Sequence, residues 1–164
     1  NGTGHLYYFW EQEGLSASGN VKEEDKFLQI RKSFLTRFGQ PVSNLKNIKQ
    51  GDLIVVKLSL SNLERTSVEN VVITDMLPAG FEIENPRLND SRDMSWMKDQ
   101  SDYFDVRDDR IHFFTSVKER TKNFYYLVRA VTPGNFQMGP ASADAMYNGE
   151  YHSYHGAGMV EVKQ

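Results

Sequence analysis

Leu53-Ile-Val-Val-Lys-Leu-Ser-Leu60 places Ile54, Val56, Leu58 and Leu60 at alternate positions, with Lys57, Ser59 and Ser61 on the opposite parity. Side chains along a strand point to the two faces in turn, so this run reads as a half-buried strand with an apolar inner face. A helix would also gather some of these residues on one side, but the β-branched trio at 54 to 56 and the serines at 59 and 61 are poor helix formers. Further along, Asn123-Phe-Tyr-Tyr-Leu-Val-Arg-Ala-Val131 is apolar on both faces except at Arg129, as suits a central strand covered by an opposing sheet, and it stops at the turn Thr132-Pro133-Gly134. Val68-Glu-Asn-Val-Val-Ile-Thr-Asp75 and Phe81-Glu-Ile-Glu84 read as strands joined through Met76-Leu-Pro-Ala-Gly80. Tyr103-Phe-Asp-Val106 and Arg110-Ile-His-Phe-Phe114 flank Arg107-Asp108-Asp109 at hairpin spacing. Residues 5–10, 27–35, 135–138, 142–146 and 158–162 complete a list of roughly ten short strands, the spacing of an antiparallel sandwich.

The fold class expected is therefore all-β: an antiparallel β-sandwich, immunoglobulin-like in outline, with at most one short helix in a loop at residues 91–101. The strand expected at residues 5–10 is so aromatic that it would be a sticky edge with nothing before it. Residues 1–26 are accordingly read as a strand and mobile loop carried over from a preceding region, and residues 27–164 as the sandwich domain.

Composition narrows the function. Of 164 residues, 39% are hydrophobic and 25% charged, a globular balance, and ten Phe and eight Tyr favour strands. Net charge is −3 with Lys and Arg dispersed, so no concentrated positive field exists for nucleic acid. The absence of cysteine excludes disulfides, thiol nucleophiles and thiolate zinc sites within these residues. No apolar run approaches the ~20 residues a spanning helix needs, so direct membrane insertion by this stretch is not expected, and an export signal or lipid anchor is expected elsewhere.

The chemistry-bearing residues point away from catalysis. His152 and His155 stand three apart, but Asn148-Gly149 and Gly156 frame the stretch as a loop, and no carboxylate pattern completes a coordination sphere. Asp105, Asp108 and Asp109, or Asp90, Asp93, Asp99 and Asp102, offer hard oxygens without the alternating spacing of a calcium loop. His112 alternates within a strand, and no nucleophile elbow is present. The expectations are no enzyme activity, no cofactor and no metal.

Several phrases taken together resemble one family: Phe27-Leu-Gln-Ile-Arg-Lys-Ser-Phe34, Gln50-Gly-Asp-Leu-Ile-Val-Val-Lys57, Val68 through Asn85, Phe124-Tyr-Tyr-Leu-Val-Arg-Ala-Val-Thr-Pro-Gly134 and Ala143-Asp-Ala-Met-Tyr147. In this order and spacing they are similar to the C-terminal macroglobulin-like domain of bacterial alpha-2-macroglobulins. The resemblance implies one piece of an exported, periplasmic or envelope-associated protease trap. In such proteins a bait region is cut, the conformation changes, and in many members a thioester captures the attacking protease. It further implies a terminal domain that packs against the thioester domain of the same chain, with Tyr147 and its apolar neighbour Met146 shielding the reactive bond from water. Proteases are then partners only through the full-length protein. Two rivals of similar form are a cell-surface or adhesin-type interaction module, suggested by Leu77-Pro-Ala-Gly80, and a carbohydrate-binding module, which would need Trp10 or Trp96 on one flat face.

Overall fold

The computed structural model describes residues 3–5, 7–11, 21–84, 94, 96–98, 101–118 and 120–164. Thirteen strands run through these residues: β1 (Glu24–Lys26), β2 (Leu28–Leu35), β3 (Ile48–Lys49), β4 (Leu53–Asn62), β5 (Val68–Met76), β6 (Phe81–Ile83), β7 (Tyr103–Val106), β8 (Arg110–Val117), β9 (Lys122–Ala130), β10 (Gly134–Met138), β11 (Ala141–Ala145), β12 (His152–His155) and β13 (Gly158–Lys163). They form a six-stranded sheet in the order β1-β12-β11-β5-β8-β7, a four-stranded sheet β2-β4-β9-β6, and a small sheet β10-β13-β3. Every pairing is antiparallel except β13 with β3. The expected antiparallel sandwich is thus present, with a third sheet at one side.

Alternation builds the core. β8 buries Ile111, Phe113, Thr115 and Val117, β11 buries Ala141, Ala143 and Ala145, and β4 buries Ile54, Val56, Leu58 and Leu60. These faces meet between the two large sheets, where the Phe113 ring lies 5.4 Å from Phe124 and 6.3 Å from Tyr126. Burying one such side chain stabilises the fold by about 1.5–3 kcal/mol. The outer face of the smaller large sheet is covered too: Val55 and Leu127 pack with Met94, and Trp96 meets Tyr125 edge-on at 5.8 Å. That cover is why β9 is apolar on both faces.

Leu77-Pro-Ala-Gly80 makes the turn between β5 and β6. The Phe81 amide donates to the Pro78 carbonyl at 3.0 Å, and the Gly80 carbonyl accepts the Val131 amide at 2.9 Å. A Cβ on Gly80 would fall 2.2 Å from the Phe136 ring, so only glycine lets the turn sit this close to β10.

Several local expectations are corrected. Tyr7, Tyr8, Phe9 and Trp10 form no strand; they are 72–90% exposed, and aromatic residues favour strands only where a partner strand and a packed face exist. Residues 152–155, expected as loop, are β12, because Ser153 is buried and pairs with both Ala143 and Asp25. Glu24–Lys26, expected within a loop, is β1, and Ile48–Lys49 was not expected as a strand. β5 carries a bulge between Val68 and Val71. Of the residues where a short helix was expected, Met94 and Met97 form one tight turn, the Met97 amide donating to the Met94 carbonyl at 3.0 Å; the others, apart from 96, 98 and 101, lie outside the described residues.

Candidate functional site

Tyr147 lies in the turn of residues 146–151 that joins β11 to β12, at one end of the six-stranded sheet. The backbone there is tightly bonded. The Asn148 amide donates to the Ala145 carbonyl at 3.2 Å, the Ala145 amide to Tyr151 at 3.0 Å, the Tyr151 amide to Asn148 at 3.0 Å, and the Met146 amide to the Asn70 carbonyl on β5 at 3.0 Å. With Ala145 buried, the two residues after it turn outward: Tyr147 is 83% exposed and Met146 52%. The two expected site residues are therefore side by side on a bonded turn.

Beside them runs a shallow groove lined by Ser67, Val68, Glu69, Asn70, Asn148 and Tyr151. Hydrogen bonds from Ser116 and Ser67 hold the Glu69 carboxyl below the usual carboxylate range, so the groove carries a negative charge near neutral pH. A large exposed ring with a terminal hydroxyl is suited to covering a neighbour and hydrogen-bonding to it.

The other candidates are separated. His152 and His155 lie three apart on a strand, hence on opposite faces; His152 Nδ1 is 3.0 Å from the Gly149 carbonyl, and His155 faces Glu23 at 3.5 Å. His112 Nδ1 lies 2.9 Å from Thr74 Oγ1, a cross-strand pair within the sheet. Asp105 pairs with Arg107 and Asp109 with Arg110, as hairpin residues. Asp90, Asp93 and Asp99 lie outside the described residues, and among the described residues no cluster of three or more metal-ligating side chains occurs. Trp96 is partly buried with its indole N–H donating to the Arg37 carbonyl at 3.1 Å, so it forms no exposed plane with Trp10.

One polar constellation was not expected. Between the two large sheets, Lys32 Nζ donates to Asp75 Oδ1 at 2.6 Å and the Tyr126 hydroxyl donates to Asp75 Oδ2 at 2.7 Å; the Lys32 and Asp75 side chains are 2% and 0% exposed. Burial pushes the Tyr126 hydroxyl well above its usual value, with the Asp75 charge and hydrogen bond adding to it, so Tyr126 stays a donor. Closed to solvent and mutually satisfied, the three groups tie the sheets together and offer nothing to a substrate. Parity was the available signal: Lys32, Asp75 and Tyr126 all fall on the inward positions of their strands.

Residues 28–150 match the family described as the bacterial alpha-2-macroglobulin MG10 domain. The chain is 31% identical over 155 residues to an alpha-2-macroglobulin of Xylella fastidiosa, across 87% of this chain and 9% of the relative, and 28% identical over 160 residues to one of Pasteurella multocida, across 96% and 8%. Among solved structures it is similar to Salmonella alpha-2-macroglobulin reacted with methylamine, with a TM-score of 0.79 and 27% identity over 90% of this chain and 10% of that one. It is also similar to the native conformation of Escherichia coli alpha-2-macroglobulin, with a TM-score of 0.78 and 26% identity over 88% of this chain and 10% of that one. The chain thus spans no more than about a tenth of these relatives.

Proposed function

Because the chain belongs to the bacterial alpha-2-macroglobulin MG10 domain family, we propose that it is the terminal structural and regulatory domain of an exported protease inhibitor. It packs against the thioester domain of the same protein and shields the reactive bond with Tyr147. It is not an enzyme; proteases meet it only as part of the full-length protein, in the periplasm or at the cell envelope. Of the stretch 1–26 expected to be carried over from the preceding region, β1 belongs to the sandwich; the residues before β1 are carried over from that region.

The observation that carries this reading is the 83% exposure of Tyr147 on a turn tied by backbone hydrogen bonds at both ends. Exposed aromatic rings held on a fixed turn are what a domain contact uses, because little side-chain freedom is lost on docking. A ring laid over a strained thioester excludes the water that would hydrolyse it, and the hydroxyl supplies a hydrogen bond where the covered surface is polar. Met146 extends the apolar cover beside it.

Replacing Tyr147 tests the proposal. In the full-length protein bearing its thioester, Tyr147→Gly uncovers the bond and accelerates its reaction with methylamine. An unchanged rate removes the shielding role.

A further inference from the structure

Among the described residues, two that are not glycine hold a left-handed backbone: Phe27 with φ 62° and Asn70 with φ 56°. Both stand at the feet of the turn that carries Tyr147. Asn70 lies in the β5 bulge between Val68 and Val71, and its carbonyl accepts the Met146 amide at 3.0 Å, one rung beyond the last β11–β5 pair, Ala145 with Val71. Phe27 lies in the break between β1 and β2. It bridges His152 in the backbone, its carbonyl accepts the Leu63 amide at 2.9 Å, and its ring packs on Tyr151 with centroids 5.0 Å apart.

A left-handed backbone is uphill for any residue with a Cβ, mildly for asparagine and strongly for a bulky ring. Such residues persist where their surroundings over-determine them, and they gather at functional positions. Bulges likewise recur where a sheet must re-aim a side chain. Here both strained residues converge on the six-residue stretch 146–151, one from a bulge within β5 and the other from the break between β1 and β2: one anchors its first residue, the other its last.

We propose that Asn70 and Phe27 are positioning residues for Tyr147, clamping the two ends of its turn so that the ring is held outward before it meets the neighbouring domain. The inference rests on the reading of Tyr147 as a contact with that domain. Its physical benefit is preorganisation: a turn already fixed loses little conformational freedom on docking. The bulge residues Glu69 and Asn70 line the same groove as Tyr147 and Tyr151.

The experiment uses the full-length protein with Tyr147→p-benzoylphenylalanine as a photo-crosslinker, in the native background and with Asn70→Gly, Asn70→Val and Phe27→Ala. Glycine accepts positive φ freely and a β-branched residue does not. Asn70→Gly is therefore expected to retain the interdomain crosslink, and Asn70→Val to lower its yield about fivefold or more as the turn is freed. Phe27→Ala lowers it as well, through loss of the ring contact on Tyr151. Asn70→Ala makes the same comparison should Asn70→Val fail to accumulate. Absence of any crosslink in the native background overturns the reading of Tyr147 and the clamp with it. Crosslinking in the native background that is equal in Asn70→Val, or lost equally in Asn70→Gly, overturns the role of Asn70 alone, and an unchanged yield in Phe27→Ala removes Phe27.

Discussion

Lys32, Asp75 and Tyr126 put polar atoms where the alternation of their strands calls for apolar ones. Lys32 follows Leu28 and Ile30 in parity, Asp75 follows Val71 and Ile73, and Tyr126 lies between Phe124 and Val128. The two ion-pair partners come from opposite sheets, so the bond crosses the core rather than running along a strand. An ion pair shut from water gains little net stability, because desolvating both charges offsets their attraction, whereas removing one partner leaves the other uncompensated. Asp75→Ala, which strands the Lys32 ammonium and removes the acceptor of Tyr126, is expected to cost about 3–5 kcal/mol in urea unfolding. The double variant Lys32→Met with Asp75→Leu should recover a large part of that loss. If the double variant is as unstable as the two single losses added together, the pair acts through something other than mutual compensation. The parity of the three residues was legible in the sequence; their meeting was not, since strand alternation says which face a residue takes but not which strand stands opposite.

Individual strands were legible where alternation ran unbroken, as in β4 and β8, or where an apolar run ended at a turn signal, as in β9, and illegible where neither pattern was present, as in β1, β3 and β12. β12 is the instructive case. Flanked by Gly149 and Gly156 it has the look of a loop, yet Ser153 inside it accepts the Ile30 amide at 2.9 Å and donates to Asp25 at 2.7 Å, joining β12 to β1 and β2. The bulge in β5 left a trace in the sequence: Val68 is out of parity with Val71, Ile73 and Asp75, and an extra residue is what returns it to the inner face. β1 is three charged or acidic-edge residues with no apolar pattern at all, and it is held by side chains: Arg31 donates to both Asp25 oxygens, at 2.9 and 2.5 Å. Above all this guanidinium, with Ser153 and Gln29 assisting against the effect of burial, holds the Asp25 carboxyl far below its usual range. A carboxyl depressed in the folded state contributes stability that is fully present above its unfolded value near ~4, and that is lost as pH falls from there toward the folded value. Acid should therefore weaken the anchoring of β1. Between about pH 4 and pH 2 the slope of stability against pH is expected to be shallower in Asp25→Asn than in the native chain, in urea unfolding followed by circular dichroism. Equal slopes would show that the carboxyl titrates alike in both states.

At the scale of the whole molecule, the sandwich closes its core but does not use the chain's most aromatic run. Tyr7, Tyr8, Phe9 and Trp10 are 72–90% exposed and belong to no sheet, whereas monomeric proteins rarely leave contiguous aromatic surface to solvent. The chain covers about a tenth of the relatives it matches, and residues 7–10 are expected to find their packing in another part of such a protein. The residues before β1 are therefore expected to pack against the preceding region, because the aromatic stretch calls for a partner and none of the described strands supplies one. Hydroxyl-radical footprinting measures it residue by residue, because aromatic side chains are oxidised in proportion to their contact with water. In the 164-residue chain, residues 7–10 should react as fast as Tyr103, which is 63% exposed on β7. In the full-length protein they should be protected severalfold. Tyr147, read as a contact with the thioester domain, should be protected there as well, and released when the protein is cut by a protease while residues 7–10 stay covered. Equal oxidation of residues 7–10 in the short chain and the full-length protein would mean that the aromatic run has no partner in either, and the assignment would fail.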